Sequence, residues 1–383
     1  MEAFTFNDME IAGLATAGFL LLIQVLYYFG IYNRINRHCR AAQQGKIDYI
    51  EELPPLSVII CAHDEAENLR RNLETVLCQD YPQFEVIVVN DGNSDESDAC
   101  LTLLEEKYPH LYHSFVPDSP RGVSHQKLAA TIGIKASKYD WLVFTRPDSA
   151  PQSNQWLRKL ARNFTPSTQI VLGYHRYNSG ENRLQRKAGL YGLFYAMRYL
   201  GFALAGRPYM GNGHNLAYRK ELFYKHKGFS AHLDIPQGDD DLFINQVATP
   251  DNTRVETDPD AIMNIPETLT RKHWHDEQAG YAATARHYRG LQRYCNGMET
   301  TTRLLFYIAW AATCILSLLC QHWLAAGIAM MYFALRFTMQ ASVINRTARN
   351  LGEPGKYYLS LPLFDLTQPL LSWHWKRRSR LQR

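Results

Sequence analysis

Residues Ile11 to Tyr32 carry no charged side chain. A helix of that length crosses a hydrocarbon core of about 30 Å, and inside lipid a lone segment can satisfy its backbone only as a helix. Glu2, Asp8 and Glu10 precede the stretch, and Arg34, Arg37 and Arg40 follow it. A cleavable leader has basic residues ahead of its apolar run, so this one reads as an anchor. The positive-inside bias then places the N-terminus outside and the residues after Arg34 in the cytoplasm.

A second apolar block starts after Arg303. Leu304 to Cys320 is uncharged, and past Gln321 and His322 the run Trp323 to Ile344 holds only Arg336. Two spans joined by so short a turn form a hairpin that returns the chain to Arg346 and Arg349 on the cytoplasmic side. Arg336, near the midplane on this reading, needs a protein or aqueous partner, or must snorkel. Tyr357 to Trp375 is apolar but interrupted by Pro362, Asp365 and Pro369. If it crossed, the run Lys376, Arg377, Arg378, Arg380 and Arg383 would land outside, against the charge rule. It is therefore expected to be interfacial or re-entrant, with Trp373 and Trp375 at headgroup level and the tail on anionic membrane lipid. The expected organisation is an anchor at 1–40, a cytoplasmic domain at 41–303, a hairpin at 304–344, and an interfacial segment with a basic tail at 345–383.

Charge narrows the function classes. The net charge of +4 over 383 residues is outweighed by the five tail cations, so the body is slightly acidic and no nucleic-acid partner is expected. Seven cysteines without a C-x-x-C pair argue against a zinc site or a disulfide framework.

Within 41–303 the pattern alternates. Leu56–Ala62 and Phe84–Asn90 are continuous apolar runs of the kind found in parallel strands buried on both faces. Between them Leu69, Leu73, Val76 and Leu77 recur at helical spacing behind a capping Asp64. Helices are expected at Ser97–Lys107, Ser124–Ala136, Asn154–Phe164 and Asp239–Val247, and strands at Leu111–Val116, Trp141–Thr145 and Gln169–Tyr174. Such alternation predicts an α/β domain with an open, mostly parallel sheet, whose ligand lies beyond the strand C-termini. Glu65, Asp91 and Asp148 each follow a strand there. One such acid is ordinarily a turn or helix cap; three on one sheet edge point to a polar ligand. No G-x-G-x-x-G follows the first strand and no Walker motif is present, which excludes nicotinamide and P-loop chemistry.

At these residues the chain resembles the membrane-anchored, inverting family 2 glycosyltransferases of GT-A (Rossmann-like) fold. The likeness covers roughly Pro55 to Tyr294. Its motifs are Pro55-Leu-Ser-Val-Ile-Ile-Cys-Ala-His-Asp-Glu-Ala-Glu-Asn-Leu69, Val88-Val-Asn-Asp-Gly-Asn-Ser-Asp-Glu-Ser97, Gly211-Asn-Gly-His-Asn-Leu-Ala-Tyr-Arg-Lys220 and Gly238-Asp-Asp-Asp-Leu-Phe243. The resemblance implies a nucleotide-sugar donor over the strand ends. Asp91 would hold the base and ribose, Ala62 and Glu65 would border the nucleotide, and Lys127 would lie near the phosphates. Asp239 aligns with the general base and Asp241 with the second acid, with Asp240 as rival. Asn212, His214 and Tyr281 fall in acceptor-side positions.

Two departures stand out. The family's metal motif, two Asp separated by one residue, is Arg146-Pro147-Asp148 here. One carboxylate is left for a Mg or Mn ion that prefers several hard oxygens. Arg146 could instead bind the diphosphate directly, or pair with Asp148 or Asp91 and plug the site. The Gln-x-x-Arg-Trp motif aligns as Glu277-Gln278-Ala279-Gly280-Tyr281, with glycine in place of arginine. Leu184 to Ala205 reads either as a core helix or as an amphipathic membrane helix with Arg198 towards headgroups. The expected function is a hexosyl-type glycosyltransferase acting on a lipid-linked or membrane-associated acceptor in polysaccharide or glycolipid assembly. The alternative is a silent GT-A scaffold or donor-binding subunit of a membrane glycan-assembly complex.

Overall fold

The computed structural model describes residues 6–92, 96–117, 124–177, 182–233, 235–265 and 270–381. The chain opens with α1 (Asp8–Tyr27), continues through a π-helical turn at Tyr28–Tyr32, and extends into α2 (Asn33–Gln43). Asn7 caps α1, and Glu10 reaches back to the Asn7 N–H at 2.9 Å, a capping box that satisfies two orphan donors at once. The helical anchor thus outruns the apolar stretch read from the sequence at both ends.

The globular domain follows. Its elements are β1 (Leu56–Ala62), α3 (Ala66–Leu77), β2 (Phe84–Asn90), α4 (Ser97–Lys107), β3 (Leu111–Phe115), α5 (His125–Ala136) and β4 (Trp141–Thr145). Then come β5 (Ala150–Pro151), α6 (Trp156–Ala161), β6 (Ile170–Leu172), β7 (His175–Tyr177) and α7 (Arg183–Leu204). The domain ends with β8 (Leu216–Arg219), α8 (Lys220–Lys225), α9 (Asp241–Val247), β9 (Thr253–Val255), β10 (Met263–Ile265) and α10 (Arg271–Thr284). Seven strands pair in the order β3-β2-β1-β4-β8-β6-β9, and β5-β10-β7 form a small second sheet. β8 runs antiparallel to β4 and β6; the other pairs of the large sheet are parallel. The register sets Ala62 beside Asn90 and Ile60 beside Thr145, so β1, β2 and β4 end on one edge.

Local differences from the sequence reading have physical causes. Asp64 is left-handed at φ 53°, and α3 begins after Glu65. The strand expected at Gln169–Tyr174 breaks at Gly173, whose carbonyl accepts from the Tyr199 hydroxyl at 2.7 Å. A Cβ at Gly173 would collide with the Asn215 side chain, so the chain leaves β6 and re-enters the second sheet as β7. α7 is a core helix rather than a membrane-surface one: Leu193, Phe194, Met197 and Leu200 are buried, and Arg198 turns inward to Glu299 at 2.5 Å.

After the domain come α11 (Gln292–Leu319), α12 (Trp323–Asn350) and α13 (Ser360–Leu381). Asp8–Gln43, α11 and α12 are long and apolar enough to cross a membrane. α11 starts well before residue 304, so domain and hairpin meet inside one continuous helix. Arg336 is not isolated. Its guanidinium lies 2.8 Å from Asp365 of α13, which also meets Arg303 at 3.3 Å and accepts from Tyr307 Oη at 2.9 Å and Gln340 Nε2 at 3.0 Å.

Candidate active site

The edge formed by the C-termini of β1, β2 and β4 borders a cleft of about 660 Å³. Ala62, Glu65, Asp91, Arg146, Asp148, Asp239 and Asp240 all line it. The backbone builds its floor: the Asp91 N–H donates to the Ala62 carbonyl at 2.7 Å, tying the turn after β2 to the end of β1. The Asp91 carboxylate stands beside two imidazoles, His125 Nδ1 at 2.8 Å and His63 Nδ1 at 3.5 Å. Neither histidine is singled out by sequence, although His63 lies inside the opening motif and His125 opens α5.

Lys127 takes a different place from the expected one. It is buried, and its ammonium donates to the carbonyls of Ile235, at 2.7 Å, and His232. It therefore holds the loop that delivers Asp239, and it is not among the residues lining the cleft.

Arg146 projects from the end of β4 towards Asp240, at 3.6 Å. The pairing with Asp148 or Asp91 considered from sequence gives way to this one. Asp148 faces sideways, 3.3 Å from Ser149 Oγ and 3.6 Å from His214 Nδ1. Among the described residues no group of three His, Cys, Asp or Glu could hold a metal ion. A guanidinium stands where the family has its first metal carboxylate, and the second carboxylate is turned to a serine and a histidine, so at most one carboxylate is left to share a Mg or Mn ion with a diphosphate.

The three consecutive acids have separate tasks. Asp240 caps α9: one oxygen accepts from the Asp241 N–H at 2.6 Å and the other from the Gly213 N–H at 2.7 Å. Gly213 is needed there, since a Cβ would press on Asp240 at 3.1 Å. Asp241 is buried and accepts from Tyr288 Oη at 2.6 Å, from Leu242 N–H at 2.7 Å and from Thr284 Oγ1. Asp239 is only half-buried and accepts from Gln126 Nε2 at 3.1 Å. Burial, then the neighbouring Asp240 charge, pushes Asp239 up to about 6 and Asp241 up to about 7. A carboxylate half-open to the cleft and poised near neutrality suits proton transfer.

A smaller hollow of about 180 Å³ adjoins the cleft. Its lining includes Gln237, Asp239, His273, Asp276, Glu277 and Tyr281. Asn212 and His214, expected beside the acceptor, stand behind this wall. Asn212 Nδ2 donates to Tyr281 Oη at 2.8 Å, and His214 Nε2 lies 3.3 Å from Glu277. Burial, then the Arg146 guanidinium, drives His214 down to about 3, so its imidazole is neutral and acts as a brace. At Gly280 the space of the missing arginine side chain is filled by Gln237, which a Cβ there would strike. Sequence alignment shows the loss of the arginine but not the side chain that moves in.

A GT-A sheet with a cleft over its strand tips and a carboxylate beside it is the arrangement expected of a glycosyltransferase. Residues 57–227, a little under half of the chain, match glycosyl transferase family 2. It is 23% identical over 250 residues to a poly-beta-1,6-N-acetyl-D-glucosamine synthase of Staphylococcus aureus strain COL, covering 62% of this chain and 57% of that protein. It is 33% identical over 109 residues to the glycosyltransferase AglE of Haloferax volcanii, covering 28% of this chain and 34% of that one. The chain thus spans about 57% of the length of the synthase relatives it matches. The mannosyltransferase PcManGT of Pyrobaculum calidifontis, solved with GDP-Man and Mn2+, superposes with a TM-score of 0.54 at 20% identity. That match covers 91% of this chain and all of that one, and supports the shared fold.

Proposed function

We propose that the chain transfers a hexosyl group, with inversion, from a nucleoside-diphosphate sugar to a hydroxyl of a membrane-associated or lipid-linked glycan at the cytoplasmic face. The observation that carries this reading is the single cleft shared by Asp91, Arg146, Asp148 and Asp239. Asp91 takes the nucleoside, with Ala62 and Glu65 at its border. Asp239 removes the proton as the acceptor oxygen attacks the anomeric carbon. The bond from that carbon to the diphosphate oxygen breaks, and its electron pair leaves with the nucleoside diphosphate. Arg146, partly exposed to the cleft, supplies the positive charge facing the leaving diphosphate in place of a metal. The synthase relatives, which assemble a polysaccharide by name, favour a glycan acceptor, and Tyr281 and Glu277 wall the hollow where it would enter.

Transfer in the presence of EDTA tests the role of Arg146. Activity should persist without divalent metal and collapse in Arg146→Ala, and strict Mn2+ dependence would overturn the metal-free reading. Asp239→Asn should lower turnover by roughly 10²–10⁴-fold while leaving donor affinity intact. A donor-binding scaffold without turnover is the second reading, favoured by Arg146 and Gly280 standing where the family has catalytic groups. Calorimetric titration with UDP- and GDP-sugars separates the two: tight binding without transfer to any glycan supports the scaffold.

A further inference from the structure

α13 is apolar on two sides: Leu361, Phe364 and Trp375 are buried against the protein, and a second apolar stripe faces outward. Leu359, Leu363, Leu366, Leu370 and Trp373 repeat at four- and three-residue spacing along one face, and that face is open, from 44% exposure at Leu366 to 91% at Leu359. Two of its polar residues point the other way. Asp365 and Gln368 are buried against Arg303, with Arg336 also on Asp365. A soluble helix hides its apolar residues and shows its polar ones; a helix that buries an Asp and a Gln while leaving a continuous leucine–tryptophan stripe open is suited to surroundings of lipid. The same open face runs into Lys376 and Arg377, both exposed, with the Arg377 guanidinium 6.0 Å from the Trp373 ring.

The inner face of α13 grips the helix that walls the hollow. Trp375 Nε1 donates to His275 Nδ1 at 2.8 Å, Arg378 pairs with Asp276 at 2.6 Å, and the rings of Trp375 and Trp274 meet edge to face at 5.5 Å. His275, Asp276 and Trp274 lie on α10, which also supplies His273, Glu277 and Tyr281 to the clefts. The seat of α13 therefore fixes where the acceptor wall stands.

We propose that α13 docks on an anionic cytoplasmic leaflet through its leucine–tryptophan stripe and the cations that follow it, and that this docking holds α10 in place at the acceptor side. The positive charge bordering the stripe selects a bilayer with negative headgroups. The inference rests on the membrane orientation given above, while its readouts do not require sugar transfer.

The test uses the full chain in nanodiscs of phosphatidylcholine alone or with phosphatidylglycerol. Brominated lipid should quench tryptophan fluorescence in the wild type, and a distinct share of that quenching should vanish in Trp373→Phe. Lys376→Gln and Arg377→Gln should each lower the preference for brominated phosphatidylglycerol by about fivefold. Amide exchange across residues 271–284 should slow severalfold in the anionic discs. Leu363→Gln with Leu370→Gln should abolish that slowing, and Arg378→Ala should abolish it while leaving the quenching intact. Equal quenching in Trp373→Phe, or disulfide capture of a second copy by Leu366→Cys, would overturn bilayer docking. Exchange indifferent to anionic lipid while quenching persists would overturn the coupling to α10.

Discussion

Asp239 and Asp240 are adjacent carboxylates with opposite surroundings, and their separation sets the expected pH behaviour. As the proposed base Asp239 would work only when ionised, and burial beside Asp240 holds it up to about 6. On the proposed mechanism, kcat/KM should climb with pH through about 6 and then level. Asp240→Asn removes the second cause of that rise and releases Arg146, so the acid limb should move to lower pH; a profile unchanged in this variant would separate Asp239 from the rate-limiting proton transfer. The stability sign is opposite. A carboxyl whose folded pKa exceeds its ordinary value of 3.8 contributes least once ionised, so the Asp239 contribution is lost as pH rises from about 4 to about 6. Acids at strand tips were legible in the sequence because a parallel sheet gathers them on one edge. His63, His125 and Gln237 were not, because each matters only through a residue distant in the chain: Asp91 for the first two, Gly280 for the third.

At the scale of elements, the loop between α8 and α9 is held from outside itself. Lys127, one turn into α5, satisfies the carbonyls of His232 and Ile235, and Ser124 Oγ donates to the Pro236 carbonyl. Lys127→Met keeps the volume of the side chain but removes its donors. It should cost about 1–3 kcal/mol for the buried carbonyls left without a partner, read as a fall in thermal midpoint. Because Asp239 sits at the end of that loop, turnover should fall further than donor affinity; loss of diphosphate affinity alone would instead return Lys127 to a phosphate-binding role. Helices and strands of the domain were readable where apolar residues kept one period. The break at Gly173 was not, since only the neighbouring Asn215 makes that turn obligatory. α7 was ambiguous for a related reason: its apolar residues surround most of the helix, and whether lipid or protein covers them depends on elements far away in sequence.

At the scale of the molecule, the apolar helices are joined to the domain by charge. Arg303 and Arg336 share Asp365, and Arg198 reaches from α7 to Glu299 on α11. The apolar segments themselves were plain in the sequence, since uncharged stretches of that length have few alternatives. The partner of Arg336 was not, because Asp365 lies in a proline-broken stretch whose polar face makes sense only against two arginines on other helices. The pairing predicts an asymmetry. Asp365→Ala strands the buried Arg336 guanidinium and leaves Arg303 only Glu299, at 3.7 Å, and Gln368; it should destabilise by about 3–5 kcal/mol, whereas replacing Arg303, Arg336 and Asp365 together by Met, Met and Leu should cost far less or nothing. Thermal unfolding in one detergent, followed by the fluorescence of the buried tryptophans, compares the two variants directly. Equal loss in both would mean that the cluster acts through packing volume; recovery in the triple variant would show that charge balance joins the hairpin, α13 and the domain into one body.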